Sequence, residues 1–289
     1  MNDTLQRFLF ENLGIRGELV RLDASWQAVL ERQDYPPVVR TRLGELMAAS
    51  ILLSATLKFD GSMTLQVRGD GPIGMMVVEC TSARTLRGLA HWEGEPDEAS
   101  LTGQFGDARL IITIDQKKTG RDRYQGIVPL EGDSFAEAIE GYLYRSEQLP
   151  TRLWLAADSD SAAGLLLQDL PGQYSEEDAW NRVSTLAETV TEPELLDLEQ
   201  GEVIRRLFHE EDVRVFESEP VSFRCSCSRE RVESALRGLG HDEVTDIIRT
   251  EGEVAVNCEF CNRRYAYDAV DVERLFAGPE QPEVSTTRH

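Results

Sequence analysis

The chain has 289 residues, 41% of them hydrophobic, enough to bury one full core with room for a smaller module. Its 52 acidic and 30 basic residues give a formal charge of −22, which repels phosphate backbones and argues against nucleic acid as a main partner. No window approaches 18 consecutive apolar residues, so no membrane span is expected; the most apolar stretch, residues 47–57, is interrupted by Ser50, Ser54 and Thr56.

The opening residues, MNDTLQRFLFENLG, lack the pattern of a secretion signal, and the expected location is the cytoplasm. Thiols stay reduced there, so clustered cysteines suggest metal or redox chemistry before structural disulfides.

Residues 1–174 read as an α+β domain. Residues 17–23 (GELVRLD) alternate like a strand. Residues 26–32 and 38–57 read as helices, with Pro36 and Pro37 at the start of the second. Residues 63–67 and 73–79 read as strands around a turn at Gly69, Asp70, Gly71 and Pro72. Residues 109–115 and 126–129 extend the sheet. Phe135, Ala138, Ile139, Tyr142 and Leu143 recur at helical spacing within residues 134–147. Residues 153–157 and 164–170 are two further strands, and Pro171 and Gly172 close the domain.

Residues 175–224 read as an acidic helical linker. Residues 175–220 carry 14 acidic and 4 basic residues, a net charge of −10. An apolar stripe of Trp180, Val183, Ala187 and Val190 follows Ser175 as N-cap; Pro193 opens a second short helix, and Val203, Ile204, Leu207 and Phe208 form a third patch. Short helices rarely stand alone in water, so this segment needs a surface to lie against. We expect Trp180, Val183 and Val190 to pack on the N-terminal domain as a lid over part of a binding surface.

Residues 225–276 form a last module: helices over residues 228–239 and 242–249, a hairpin of residues 254–258 and 261–267 with a two-residue turn, and a closing helix over residues 270–276. Residues 277–289 read as a frayed tail.

Four of the five cysteines lie in that module. Cys225 and Cys227 form a C-x-C, Cys258 and Cys261 a C-x-x-C, and 30 residues separate the pairs. A C-x-x-C at a hairpin tip offers two sulfurs on one side. Residues i and i+2 of an extended segment face the same way and offer two more, completing a tetrahedral zinc site. The module has few large apolar residues, so a metal staple is physically expected. Cys80 reads as a buried free thiol on a strand. His241 lies within the module, but four thiolates already complete a site. Gly69, Gly71 and Gly74 match G-x-G-x-x-G without a following helix, which makes a dinucleotide site a weak reading. Four cysteines allow three disulfide pairings.

This cysteine pattern, together with GPIG at residues 71–74, YLYRSEQLPT at 142–151, GLLLQDLPG at 164–172, FRCSCS at 223–228 and CEFCNRRY at 258–265, closely resembles the 33 kDa chaperonin family of redox-regulated heat-shock chaperones. Ala163 departs from the glycine expected there. The resemblance implies a holdase, not an enzyme, that is inactive when reduced and holding one Zn²⁺ per chain. Oxidation by peroxide or hypochlorous acid, together with unfolding stress, would form disulfides Cys225–Cys227 and Cys258–Cys261, release the zinc and unfold the linker. The activated form would dimerise, bind unfolding clients without ATP and pass them to ATP-dependent foldases. Two rivals are weaker. A zinc-ribbon nucleic-acid binder is disfavoured by 11 acidic against 7 basic residues over residues 225–276. A thiol–disulfide oxidoreductase lacks a βαβ unit around its C-x-x-C.

Overall fold

The computed structural model describes residues 3–96, 100–116, 123–130, 132–170 and 178–277. The readings of Ser175 as a cap, of Pro171 and Gly172 as a boundary and of residues 278–289 as frayed lie outside them. Two compact units divide after Arg224.

The first unit opens with the antiparallel strands β1 (Thr4–Phe10) and β2 (Ile15–Leu22), then α1 (Ala24–Leu30) and α2 (Pro37–Thr56). The next strands are β3 (Gly61–Arg68), β4 (Met75–Thr81) and β5 (Thr85–His91), followed by α3 (Leu101–Phe105). Then come β6 (Arg109–Gln116), β7 (Tyr124–Pro129), α4 (Phe135–Glu147), β8 (Thr151–Ala157) and β9 (Ala162–Asp169). α2 carries Pro37 in its first turn, where the missing N–H costs nothing. Its buried residues, among them Leu43, Met47, Ile51 and Leu52, lie on all sides, the mark of a helix enclosed by other elements. It packs on β2, β8 and β9 of one sheet and on β3, β4 and β5 of another. Gly44 permits the first contact: a Cβ there would lie 2.4 Å from the Ala157 Cβ.

The first sheet has the order β10-β1-β2-β9-β8, and both its faces are covered. Leu5, Val20 and Leu22 face α2, while Phe8, Phe10, Ile15 and Leu19 face the opposite way. β9 is therefore a continuous buried run, AAGLLLQ. β1 was not legible in the sequence for the same reason: its apolar residues serve two faces, and the alternation breaks.

What covers the second face is the acidic segment. Helices α5 (Ala179–Ala187), α6 (Glu192–Asp197) and α7 (Gln200–Phe208) bury Val183, Ala187, Leu195, Leu196, Val203, Ile204, Leu207 and Phe208 against it. Trp180 and Val190 are partly buried on the same cluster. Phe208 sits in an aromatic group, its ring centroid 4.9 Å from that of Phe10 and 5.9 Å from that of Phe8. Each such side chain contributes roughly 1.5–3 kcal/mol by burial.

The segment is not wholly helical. Strands β10 (Val213–Val215) and β11 (Glu219–Pro220) pair with β1, and β12 (Ser222–Phe223) runs parallel to β5. Strands of two or three residues carry no periodicity, and only the partner edge defines them. The acidic charge is partly met: Glu219 pairs with Arg7 and with Arg84, Glu188 with Arg152, and Glu211 with Arg182.

The second unit consists of α8 (Arg229–Leu239), α9 (His241–Glu251), the hairpin β13 (Val254–Asn257) and β14 (Arg264–Tyr267), and α10 (Ala269–Phe276). Its core is small: Leu236, Val244, Val254, Tyr265, Tyr267, Val272 and Leu275. The hairpin strands are shorter than expected, because Cys258 and Cys261 belong to a longer turn between them.

Glu18 is an anomaly in the first sheet. It is 2% exposed, and its Oε2 has no hydrogen-bond partner. Its cross-strand neighbour Arg7 pairs with Glu219 instead. Burial pushes the Glu18 carboxyl from its ordinary 4.5 up to about 7, against the pull of Arg16, Arg84 and Arg7. The folded chain therefore holds this proton more tightly than the unfolded chain. The stability is fully present below pH 4.5 and is lost as pH rises through 7. Glu18→Gln is expected to stabilise the first unit at pH 8 by on the order of 3 kcal/mol, with no gain at pH 4, in urea unfolding at both values. Phe208→Ala is expected to cost about 3–5 kcal/mol. Hydrogen exchange should then show residues 178–223 losing protection while β3, β4 and β6 keep theirs.

Candidate metal centre

Cys225 and Cys227 lie in the segment between β12 and α8. Ser228 caps that helix, its Oγ accepting from the Arg231 N–H at 3.3 Å, which fixes where the C-x-C segment ends. Cys258 and Cys261 sit in the turn between β13 and β14. The Cys258 N–H donates to the Arg263 carbonyl at 3.0 Å, and the Asn262 N–H to the Cys258 carbonyl at 2.7 Å. Asn262 takes a left-handed conformation, φ 54°, a position that asparagine tolerates better than most residues.

These two segments bring the four sulfurs within 4.8 Å of one another. Cys225 Sγ lies 3.7 Å from Cys258 Sγ, and Cys227 Sγ lies 3.4 Å from Cys261 Sγ. None of the four cysteines is in a disulfide, and all are partly buried. A tetrahedral ion with metal–sulfur bonds of ~2.3 Å requires sulfur–sulfur edges of ~3.8 Å, so the spacing suits a metal ion. Four soft donors with no carboxylate or imidazole among them suit a thiophilic metal. His241 is placed elsewhere: it stacks edge-on against Phe276 with its nitrogens toward Asp242 and Glu273.

The thiols differ electrostatically. Burial pushes Cys261 up to about 12 and also raises Cys258. At Cys227 burial pulls upward too, but the Tyr265 hydroxyl, donating to its Sγ at 3.2 Å, and then the neighbouring sulfurs outweigh it and bring the thiol down to about 7. Tyr265 is the functional contact that sequence reasoning missed. Its alternation with Tyr267 marks both as inward-facing, but which hydroxyl meets sulfur depends on the packing of β14 against the C-x-C segment.

Cys80 is fully buried on β4, its thiol donating to the Ser50 carbonyl at 3.4 Å, and burial pushes it up to about 12. It takes no part in the cluster. Gly69, Gly71 and Gly74 form the turn between β3 and β4, where the Gly69 N–H donates to the Gly74 carbonyl and the Gly71 N–H to the Phe105 carbonyl.

The Hsp33 protein family model matches residues 3–268. A 33 kDa chaperonin of Nitrosococcus oceani is 53% identical over 287 residues, covering 99% of this chain and 99% of its own. Another, of Methylobacillus flagellatus, is 50% identical over 279 residues, covering 96% of this chain and 95% of its own. The crystal structure of a 33 kDa chaperonin (heat shock protein 33 homolog) from Thermotoga maritima matches with a TM-score of 0.82 at 25% identity, covering 94% of this chain and 97% of that one.

Metal analysis of the reduced chain is expected to find one ion per chain, lost in Cys258→Ser and kept in Cys80→Ser. Circular dichroism of Cys258→Ser should lose signal from the second unit alone.

Proposed function

The chain belongs to the Hsp33 family, and on that premise we propose that it is a redox-regulated, ATP-independent chaperone, inactive when reduced, with one Zn²⁺ held by Cys225, Cys227, Cys258 and Cys261. The observation that carries this reading is the convergence of four cysteines, none in a disulfide, from the start of the second unit and from its hairpin turn. Bound zinc would keep all four as thiolates, the form oxidants attack, and contribute roughly 10–16 kcal/mol of apparent folding free energy. The unit's own core of seven buried side chains is too small to replace that contribution.

Oxidation by peroxide or hypochlorous acid would join Cys225 to Cys227 and Cys258 to Cys261. Loops this short contribute only about 2 kcal/mol each, so the oxidised unit should lose its zinc and melt. Melting would free the chain just after β12, the end of the acidic linker, residues 175–224. Release of that linker would expose Phe8, Phe10, Leu19, Leu165 and Leu167, an apolar face of the kind a holdase offers to unfolding clients. Oxidation alone would not suffice. At roughly 1.5–3 kcal/mol each, Leu195, Leu196, Ile204, Leu207 and Phe208 hold the linker well beyond the marginal grip expected from Trp180, Val183 and Val190 alone. This accounts for a requirement for unfolding stress alongside the oxidant. The activated form would dimerise and pass clients to ATP-dependent foldases in the cytoplasm, with no part for nucleic acid. Among the described residues no helix is long and apolar enough to cross a membrane.

The test measures suppression of client aggregation before and after peroxide at elevated temperature, with zinc quantified in the same tube. Activity is expected to appear only with loss of one zinc per chain. Activity that is independent of oxidation would overturn the switch. Trp180→Asp combined with Phe208→Asp should release the lid and suppress aggregation while still reduced and zinc-loaded; a double mutant that stays inactive with residues 178–208 unprotected would place the lid elsewhere.

A further inference from the structure

The four sulfurs differ in what holds them. Cys258 and Cys261 lie in a turn whose backbone amides serve them: those of Phe260 and Cys261 reach Cys258, and that of Arg263 reaches Cys261. Among substitutions, only proline removes such backbone donors. Cys227 lies on the opposite segment, and its non-cysteine donor is a side chain, the Tyr265 hydroxyl at 3.2 Å. Tyr265 is held in place twice over. β14 pairs it with Val256 on β13, and its ring belongs to the core of the second unit, 8% exposed. Tyr267, two residues along and on the same face, makes no such contact; its hydroxyl donates to the Arg229 carbonyl at 3.3 Å.

We infer that Tyr265 is a positioning residue for Cys227: its hydroxyl orients that sulfur toward the other three and slows its reaction with oxidants. This rests on the reading of the four cysteines as a redox switch. The physical cause is loss of nucleophilicity: bound to a metal the sulfur is a thiolate with or without the hydroxyl, so the hydrogen bond only draws electron density from it. When a hydroperoxide reacts, a sulfur lone pair attacks the O–O bond; the S–O bond forms, the O–O bond breaks, and the departing oxygen takes a proton from water. A neighbouring thiolate then attacks the sulfenic sulfur; the S–S bond forms, and hydroxide leaves and is protonated. Two thiols lose two electrons and two protons, and one hydrogen peroxide becomes two waters. A thiolate sulfur that accepts a hydrogen bond holds its lone pairs more tightly and attacks more slowly, and bonds to charged acceptors are among the stronger ones.

Tyr265→Phe keeps the ring and its packing and removes only the hydroxyl. In the reduced full-length protein, hydrogen peroxide should modify Cys227 about tenfold faster than in the parent, equivalent to ~1.4 kcal/mol of barrier. Differential alkylation with mass spectrometry reads each cysteine separately, and Cys258 should change much less. Transfer of zinc to a chelator should also quicken. Tyr267→Phe, the control for loosening of β14, should leave the Cys227 rate at the parental value. An unchanged Cys227 rate in Tyr265→Phe, or equal acceleration in Tyr267→Phe, would overturn the assignment. If the reduced parent carries no zinc, the zinc-switch reading fails; the same rate comparison at a pH where Cys227 is a thiolate in both proteins still decides the role of Tyr265, because the hydroxyl then no longer sets the thiolate fraction.

Discussion

The structure depends on one constraint: the first sheet is apolar on both faces and must be covered on both. α2 covers one face, and its all-round burial is possible because Gly44 lets β8 and β9 approach closely. The other face is covered by α5, α6 and α7, a segment whose composition suits water. The protein thus gives the closing of one apolar sheet face to its most acidic stretch. Charge and burial oppose each other along residues 178–223, and burial prevails through Phe208, Leu207 and Ile204, with ion pairs from Arg7, Arg84 and Arg152 easing the repulsion.

The second unit resolves its own constraint differently. Five short elements enclose a core too small to order them firmly, and four thiols converge where a larger domain would place side-chain packing. On the proposed reading, a unit stapled by a metal in this way would be stable only while its sulfurs remain reduced. Oxidative chemistry at a few atoms would then have a folding consequence out of proportion to its size, which a well-packed core does not allow. Cys80 illustrates the contrast. It is the same residue type, but buried in the main core, with its thiol pushed up and outside the cysteine cluster.

Arg7 and Glu18 show how the linker's presence is written into the first sheet. They are cross-strand neighbours, yet the arginine turns to Glu219 of the linker's last strands, and the buried glutamate is left with an unpartnered oxygen. Such a carboxyl is tolerated because it can remain protonated near neutral pH. It is a cost that arises from docking the acidic segment on this edge.

The sequence by itself determined the α+β class, most helices, the linker's apolar stripe and the four sulfurs as one group. These are local properties: helical periodicity, cap and turn residues, and cysteine spacing act over a few residues and need no partner to be recognised. What only the tertiary structure decided is what each local pattern meets. β1 escaped notice because its apolar residues serve two faces, and β10, β11 and β12 because strands of two or three residues exist only through the edges they join. The depth of the linker's burial needed Phe8 and Phe10 to be placed beneath Phe208. Whether Tyr265 or Tyr267 meets a sulfur was likewise undecidable from the chain. Both residues alternate identically along β14, and the difference lies in which one the hairpin brings against Cys227, a segment 38 residues away.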